Sequence, residues 1–145
     1  MTSQISLVGL GTYKIKGDLC KQVVVEALSL GYKTIDTARC YKNEKEIGEA
    51  IKLSNIDRNT LFITSKIAPN EHGEEVAYNA VKDSLINLQL TYLDCMLIHW
   101  PGASGRPPNS PENLGKYKVL HIQLCCPCLH THIKLHYSHY CILYI

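Results

Sequence analysis

Short apolar, β-branched runs alternate strictly with helical segments through the first hundred residues of this 145-residue chain. Residues 5–10 form an apolar run closed by Gly11. Residues 18–30 carry Val24, Ala27 and Leu28 at helical spacing, and Gly31 is a natural stop. Residues 33–36 read as a second strand. Asn43, with Glu46 three positions on, is a variant of the capping box, and Ile47, Ala50 and Ile51 supply the apolar stripe behind it. Residues 61–66 read as a third strand and 94–99 as a fourth, stopped by Pro101. Between them, residues 74–90 form the clearest helix, with Val76, Ala80, Val81, Leu85 and Leu88 on one face. Four β units joined by three helices predict an α/β fold with a parallel sheet and right-handed crossovers.

Composition narrows the function classes. The chain is 46% hydrophobic and 19% charged, as a globular domain is, with a net charge of +2. That charge is too small to argue for nucleic acid or an acidic membrane as partner. There is no run of 18 apolar residues and no basic-then-apolar leader, so the expectation is a cytoplasmic protein with no membrane partner. Seven cysteines without a secretion signal argue against a disulfide framework. Cys20, Cys40 and Cys95 are scattered as buried or half-buried small apolar residues are.

Four reactive residues sit at or just past the ends of the strand-like runs: Asp36, Tyr41, Lys66 and His99. In parallel α/β folds the carboxyl ends of strands carry the functional loops. A phenol, with a solution pKa near ~10, is a weak acid at neutral pH. A neighbouring ammonium stabilises its phenolate, and a carboxylate holds the ammonium in place. An imidazole beside the phenol can orient a carbonyl oxygen. Together the set suits proton delivery to a developing alkoxide. Gly9-Leu-Gly11 is a poor dinucleotide fingerprint, because position 14 is Lys rather than the third glycine.

The stretch Gly31-Tyr-Lys-Thr-Ile-Asp-Thr-Ala-Arg-Cys-Tyr-Lys-Asn-Glu-Lys-Glu-Ile-Gly48 resembles the signature of the aldo-keto reductases. Gly9-Leu-Gly-Thr-Tyr13, Phe62-Ile-Thr-Ser-Lys66 and Leu93-Asp-Cys-Met-Leu-Ile-His-Trp-Pro101 are similar to three further family motifs, in family order. The resemblance covers roughly residues 5 to 118. It implies a (β/α)8 TIM barrel that reduces aldehydes or ketones, small carbonyl substrates, with NADPH. Tyr41 would be the general acid, Lys66 would tune it as the partner of Asp36, and His99 would position the carbonyl. Gly11, Thr12 and Tyr13, with Asp36, would lie beside the nicotinamide. Tyr13, Cys40 and Trp100, with His99, would wall the substrate.

A whole barrel of this kind has eight β/α units and ~250 residues. Residues 1–118 correspond to its N-terminal half, about four units, and most of the family's cofactor contacts belong to the other half. Four strands leave the interior layers open and two edges unpaired. The expectation is impaired turnover, with association through the exposed sheet edges. At Val119 the composition changes: residues 119–145 contain no Asp, Glu or Gly, and hold five of the seven histidines and four of the seven cysteines. No period holds there, so an irregular tail outside the domain is expected. Two other readings stand beside the reductase. One is a non-catalytic half-barrel that binds a full-length relative. The other is zinc binding by Cys125-x-x-Cys128 with His130, His132, His136 and His139; no metal is expected at the four-residue site itself.

Overall fold

A computed structural model of the chain describes residues 6–100 and the backbone of residues 142–143. The elements in order are β1 (Gly9–Gly11), α1 (Gly17–Ser29), β2 (Thr34–Asp36), α2 (Glu44–Ser54), β3 (Phe62–Ile67), α3 (Glu74–Leu88), β4 (Cys95–Ile98) and β5 (Ile142–Leu143). Short 3-10 turns at Arg39–Tyr41 and Arg58–Thr60 precede α2 and β3. β1 to β4 pair in parallel and in chain order, and β5 adds an antiparallel edge to β4.

The two faces of the sheet differ sharply. Strand side chains alternate with period two. Leu10, Ile35, Ile63, Ile67 and Met96 therefore share one face, and the buried residues among them pack with Cys20, Val24 and Leu28 of α1, Ile47, Ala50 and Ile51 of α2, and Ala77, Val81 and Leu88 of α3. All three helices thus cover the same face. Thr34, Asp36, Thr64, Lys66 and Cys95 lie on the opposite, polar face. A doubly wound sheet has helices on both faces and a reversal of strand order. Sequential strands with helices on one side only are the wall of a (β/α)8 barrel, with four strands and three helices of it described here.

Local sequence explains where the elements stop. α1 ends in a Schellman motif: Gly31 takes φ +92°, its N–H donates to Leu28 O at 3.1 Å, and the Tyr32 N–H donates to Ala27 O at 3.0 Å. α3 closes the same way on Gln89, a side-chain-bearing residue at φ 55°, so it ends at Leu88 rather than at residue 90. At the amino ends of the strands, Arg58 pairs with Asp94 at 2.6 Å and stacks over the Tyr92 ring at 4.0 Å, while Asp94 also accepts the Ile63 N–H at 2.8 Å. That cluster fixes β3 against β4 at the end away from the reactive residues.

Three expectations need correction. The first strand is Gly9–Gly11 rather than a run from residue 5; Ser6 to Val8 lie outside the ladder, and Leu7 is fully exposed. On α3 the buried stripe is Ala77, Ala80, Val81, Ser84 and Leu88, and Val76 is about half exposed at 49%. Small residues make this stripe because α3 lies close to its neighbours, a spacing that side-chain hydrophobicity does not reveal. Cys20 and Cys95 are buried as expected, but Cys40 is exposed. No described helix is long and apolar enough to cross a membrane. The division at residue 118 and the zinc pattern fall outside the described residues.

α2 and the end of α3 approach each other closely. A Cβ on Gly48 would lie within about 2.4–2.8 Å of the Leu88 backbone. Backbone cannot swing aside as a side chain does, so Gly48→Ala must push the helices apart. Overpacking of this kind costs about 1–3 kcal/mol. Gly48→Ala is expected to lower the unfolding free energy by that amount, read as a lower urea midpoint, whereas Leu53→Ala, at an exposed position of the same helix, leaves it nearly unchanged; equal midpoints for the two variants would contradict the close approach.

Candidate active site

β2 and β3 carry the ion pair at the centre of the site. Asp36 is in register with Thr64, and Lys66 stands two residues further along the same face of β3. Lys66 Nζ donates to Asp36 Oδ1 at 2.5 Å and to the Thr37 carbonyl at 2.9 Å. The same ammonium lies 5.3 Å from the centre of the Tyr41 ring. The His99 ring meets Tyr41 edge-on, with centroids 5.4 Å apart and planes at 82°. Its backbone N–H continues the β3–β4 ladder by donating to Ile67 O at 3.1 Å. Asp36, Tyr41, Lys66 and His99 therefore converge at the carboxyl ends of the strands.

Tyr41 does not come from a strand. It ends the 3-10 turn Arg39–Tyr41, and Lys42, at φ 56°, turns the chain into α2. Two ties hold this turn. On one side the Arg39 guanidinium donates through Nε to both Glu71 oxygens at 2.8 Å and through Nη1 to Ala80 O at 2.9 Å. Burial opposes ionisation of Glu71, but the Arg39 hydrogen bond and the Ala68 N–H outweigh it and hold its carboxyl below the usual range. On the other side stands Asn43, fully buried. Its Nδ2 donates to Thr12 O at 2.8 Å and to Ile15 O at 2.9 Å, and its Oδ1 accepts the Thr37 hydroxyl at 2.9 Å.

Asn43 is the N-cap residue of α2, as the sequence suggests, but its side chain makes no capping hydrogen bond. Instead it joins the turn after β1 to the segment after β2. Glu44 follows, buried in the first turn of α2, and accepts the Ser65 hydroxyl at 2.7 Å. A carboxylate there also meets the positive end of the helix dipole. Asn43, Arg39–Glu71 and Glu44–Ser65 are the supports that sequence reasoning missed. The one available signal was a run of polar residues, Arg39 to Glu46, where exposure is the ordinary expectation.

The remaining expected site residues lie around this cluster. Gly11 is in register with Asp36, and a Cβ there would meet nothing within 4 Å. Thr12 is fully buried, and both its N–H and its hydroxyl donate to Asp36 O, at 3.0 and 3.1 Å. Tyr13 is exposed and lies 5.0 Å from Tyr41, ring centre to ring centre. Cys40 Sγ is 3.0 Å from His99 Nδ1. Trp100 is exposed and makes no ring contact with the cluster among the described residues. No group of potential metal ligands occurs among the described residues.

Fold and motif placement agree with what comparison with known proteins finds. The sequence profile of the Aldo/keto reductase family matches residues 7–125. The chain is 43% identical over 96 residues to 2,5-diketo-D-gluconic acid reductase B of Corynebacterium sp., covering 66% of this chain and 35% of that protein. It is 47% identical over 95 residues to glyoxal reductase of Bacillus subtilis, covering 65% of this chain and 34% of that one. Among solved structures, an aldo-keto reductase from a Medee basin deep-sea metagenome library superposes with a TM-score of 0.65 at 44% identity, over 67% of this chain and 36% of that one. The chain belongs to the aldo/keto reductase family. It spans about a third of the length of the curated relatives it matches.

Two predictions follow the geometry. Asn43→Ala leaves the Ile15 carbonyl and the Thr37 hydroxyl without a partner and takes from the Thr12 carbonyl the shorter of its two bonds, the Ile15 N–H remaining at 3.3 Å. At about 1–3 kcal/mol for each stranded buried group, partly relieved by water, the loss is about 2–4 kcal/mol. Chemical denaturation is expected to show it; a loss below about 0.5 kcal/mol would contradict the buried tie.

The second concerns pH. Burial lowers the pKa of His99 from 6.5, with the Lys66 charge adding to it, and burial likewise lowers that of His72. A folded pKa below the unfolded one means that the unfolded chain takes the proton first. The stability these neutral rings contribute is therefore full above pH 6.5 and is lost as pH falls through their folded values. Denaturation midpoints are expected to fall between about pH 7.5 and about pH 5.5, less steeply in His72→Gln. The same slope in wild type and variant would exclude His72 from the effect.

Proposed function

We propose that this chain carries the proton-donating half of an NADPH-dependent carbonyl reductase, which converts aldehydes or ketones to alcohols. The observation that carries the reading is the placement of the Lys66 ammonium between the Asp36 carboxylate and the Tyr41 ring, with the His99 ring edge-on to the same phenol. Tyr41 acts as general acid: its hydroxyl proton passes to the carbonyl oxygen as negative charge develops there. Lys66 stabilises the phenolate left behind, and Asp36 keeps the ammonium in place. His99, neutral at pH 7, donates a hydrogen bond that orients the carbonyl. Cys40, Tyr13 and Trp100 border the space in which the substrate lies.

The residues present fit one end of a nicotinamide cofactor. Open space above Gly11 and the part-exposed Asp36 carboxylate leave room for a flat ring across the strand ends, with Tyr13 beside it. Thr12 supports that surface from below through its hydrogen bonds to Asp36. NADPH, when bound, supplies the hydride. The relatives' names support the reaction class: one acts as a 2,5-diketo-D-gluconic acid reductase and another as a glyoxal reductase. In the 145-residue chain turnover is impaired relative to a whole reductase, because the described strands supply about half of a barrel wall. The protein works in the cytoplasm on small carbonyl compounds.

Aldehyde-dependent oxidation of NADPH, followed by absorbance, tests the proposal. Slow turnover that falls about 100-fold or more in Tyr41→Phe is the expected result, the usual scale for loss of a general acid. Turnover that survives the Tyr41→Phe change would overturn the assignment.

A further inference from the structure

The Cys40 thiol stands against the His99 imidazole, and neither the sequence nor the family comparison gives that contact a role. Cys40 Sγ is 3.0 Å from Nδ1, within hydrogen-bonding distance. The two residues come from different elements, Cys40 from the middle of the 3-10 turn and His99 from the end of β4. The turn is held by Arg39 and Asn43 and the strand by its ladder, so the contact is fixed from both sides.

A neutral imidazole has one N–H and one lone pair, and the partner of one nitrogen decides which form the ring takes. Three forms of this pair are chemically sensible: a thiol donating to a neutral ring, a neutral ring donating its Nδ1–H to the thiol sulfur, and an imidazolium donating to a thiolate. Sulfur is a weak acceptor beside a ring nitrogen's lone pair, which favours the first over the second, and the surroundings disfavour the third. Although Cys40 is exposed, burial by its neighbours pushes its thiol pKa up, against smaller opposing effects from its own backbone hydrogen bond and Lys66. Burial and the Lys66 charge both disfavour protonation of His99, and the Asp36 carboxylate opposes them only in part.

We propose that Cys40 is a positioning residue whose S–H donates to Nδ1 of His99, so that the single ring proton resides on Nε2 and the imidazole faces a carbonyl oxygen as a neutral hydrogen-bond donor. The role of the donor rests on the reductase reading given above; the hydrogen bond itself does not. The thiol undergoes no covalent step and donates no proton to substrate. A serine hydroxyl can make the same donation, and an alanine cannot.

Nuclear magnetic resonance of the full chain labelled with 15N-histidine tests this, with His99 assigned by its disappearance in His99→Gln. In the unmodified chain above the His99 titration, Nδ1 is expected to show the shift of an acceptor nitrogen and Nε2 that of an N–H. Cys40→Ser retains this pattern. Cys40→Ala removes a bond that stabilises the neutral ring, so the His99 midpoint rises by about half a pH unit. A midpoint that falls in Cys40→Ala identifies the thiolate–imidazolium pair instead and overturns the proposal, as does an Nδ1-protonated ring in the unmodified chain. These readouts need no turnover. Loss of the Tyr41 dependence with the tautomer intact would sink the reductase reading alone.

Discussion

One buried amide holds the reactive end of this fold together. Asn43 uses both N–H bonds and its carbonyl on three groups of two segments: the Thr12 and Ile15 carbonyls after β1 and the Thr37 hydroxyl after β2. Tyr41 lies two residues before it, on a turn too short to hold itself. The amide on one side and Arg39 on the other hold the turn with the phenol near Lys66. A buried polar side chain is costly when unpaired and strongly orienting when all its bonds are made. Asn43 is in the second condition.

The rest of the site follows from strand register. Parallel pairing sets Asp36 beside Thr64, and the two-residue period carries Lys66 onto the same face. The ammonium therefore reaches the carboxylate, the Thr37 carbonyl and the neighbourhood of the phenol without leaving the sheet. Its charge has a second consequence, since it helps to keep His99 neutral. One lysine thus stands beside both the phenol that we propose as the acid and the neutral imidazole. The helix-covered face supplies the rigidity, and the polar face supplies the chemistry.

Much of this was legible in the sequence, for specific reasons. Alternating apolar runs marked all four parallel strands, because β2, β3 and β4 bury one face against helices. Asp36, Tyr41, Lys66 and His99 stood out because each is a reactive residue next to such a run. The supports were not legible. Nothing in the sequence separates a capping asparagine from one buried beneath two turns, since both precede a helix. Arg39 and Glu71 are 32 residues apart, and only the fold brings them together. On α3, apolar size pointed to Val76, while close packing selected Ala77 and Ser84. The Cys40–His99 contact likewise depends on two elements meeting, and an exposed cysteine on a 3-10 turn carries no local mark of it.

Everything proposed for this site requires that Tyr41, His99 and Tyr13 meet in the 145-residue chain itself. Proton–proton Overhauser effects between the Tyr41 ring and both neighbouring rings measure it. Ring centres 5.4 and 5.0 Å apart predict clear cross-peaks to His99 and to Tyr13. A Tyr41 ring with dispersed, folded-state shifts but no cross-peak to His99 would contradict the account, because the proposed proton donor would then stand apart from the group proposed to orient the carbonyl.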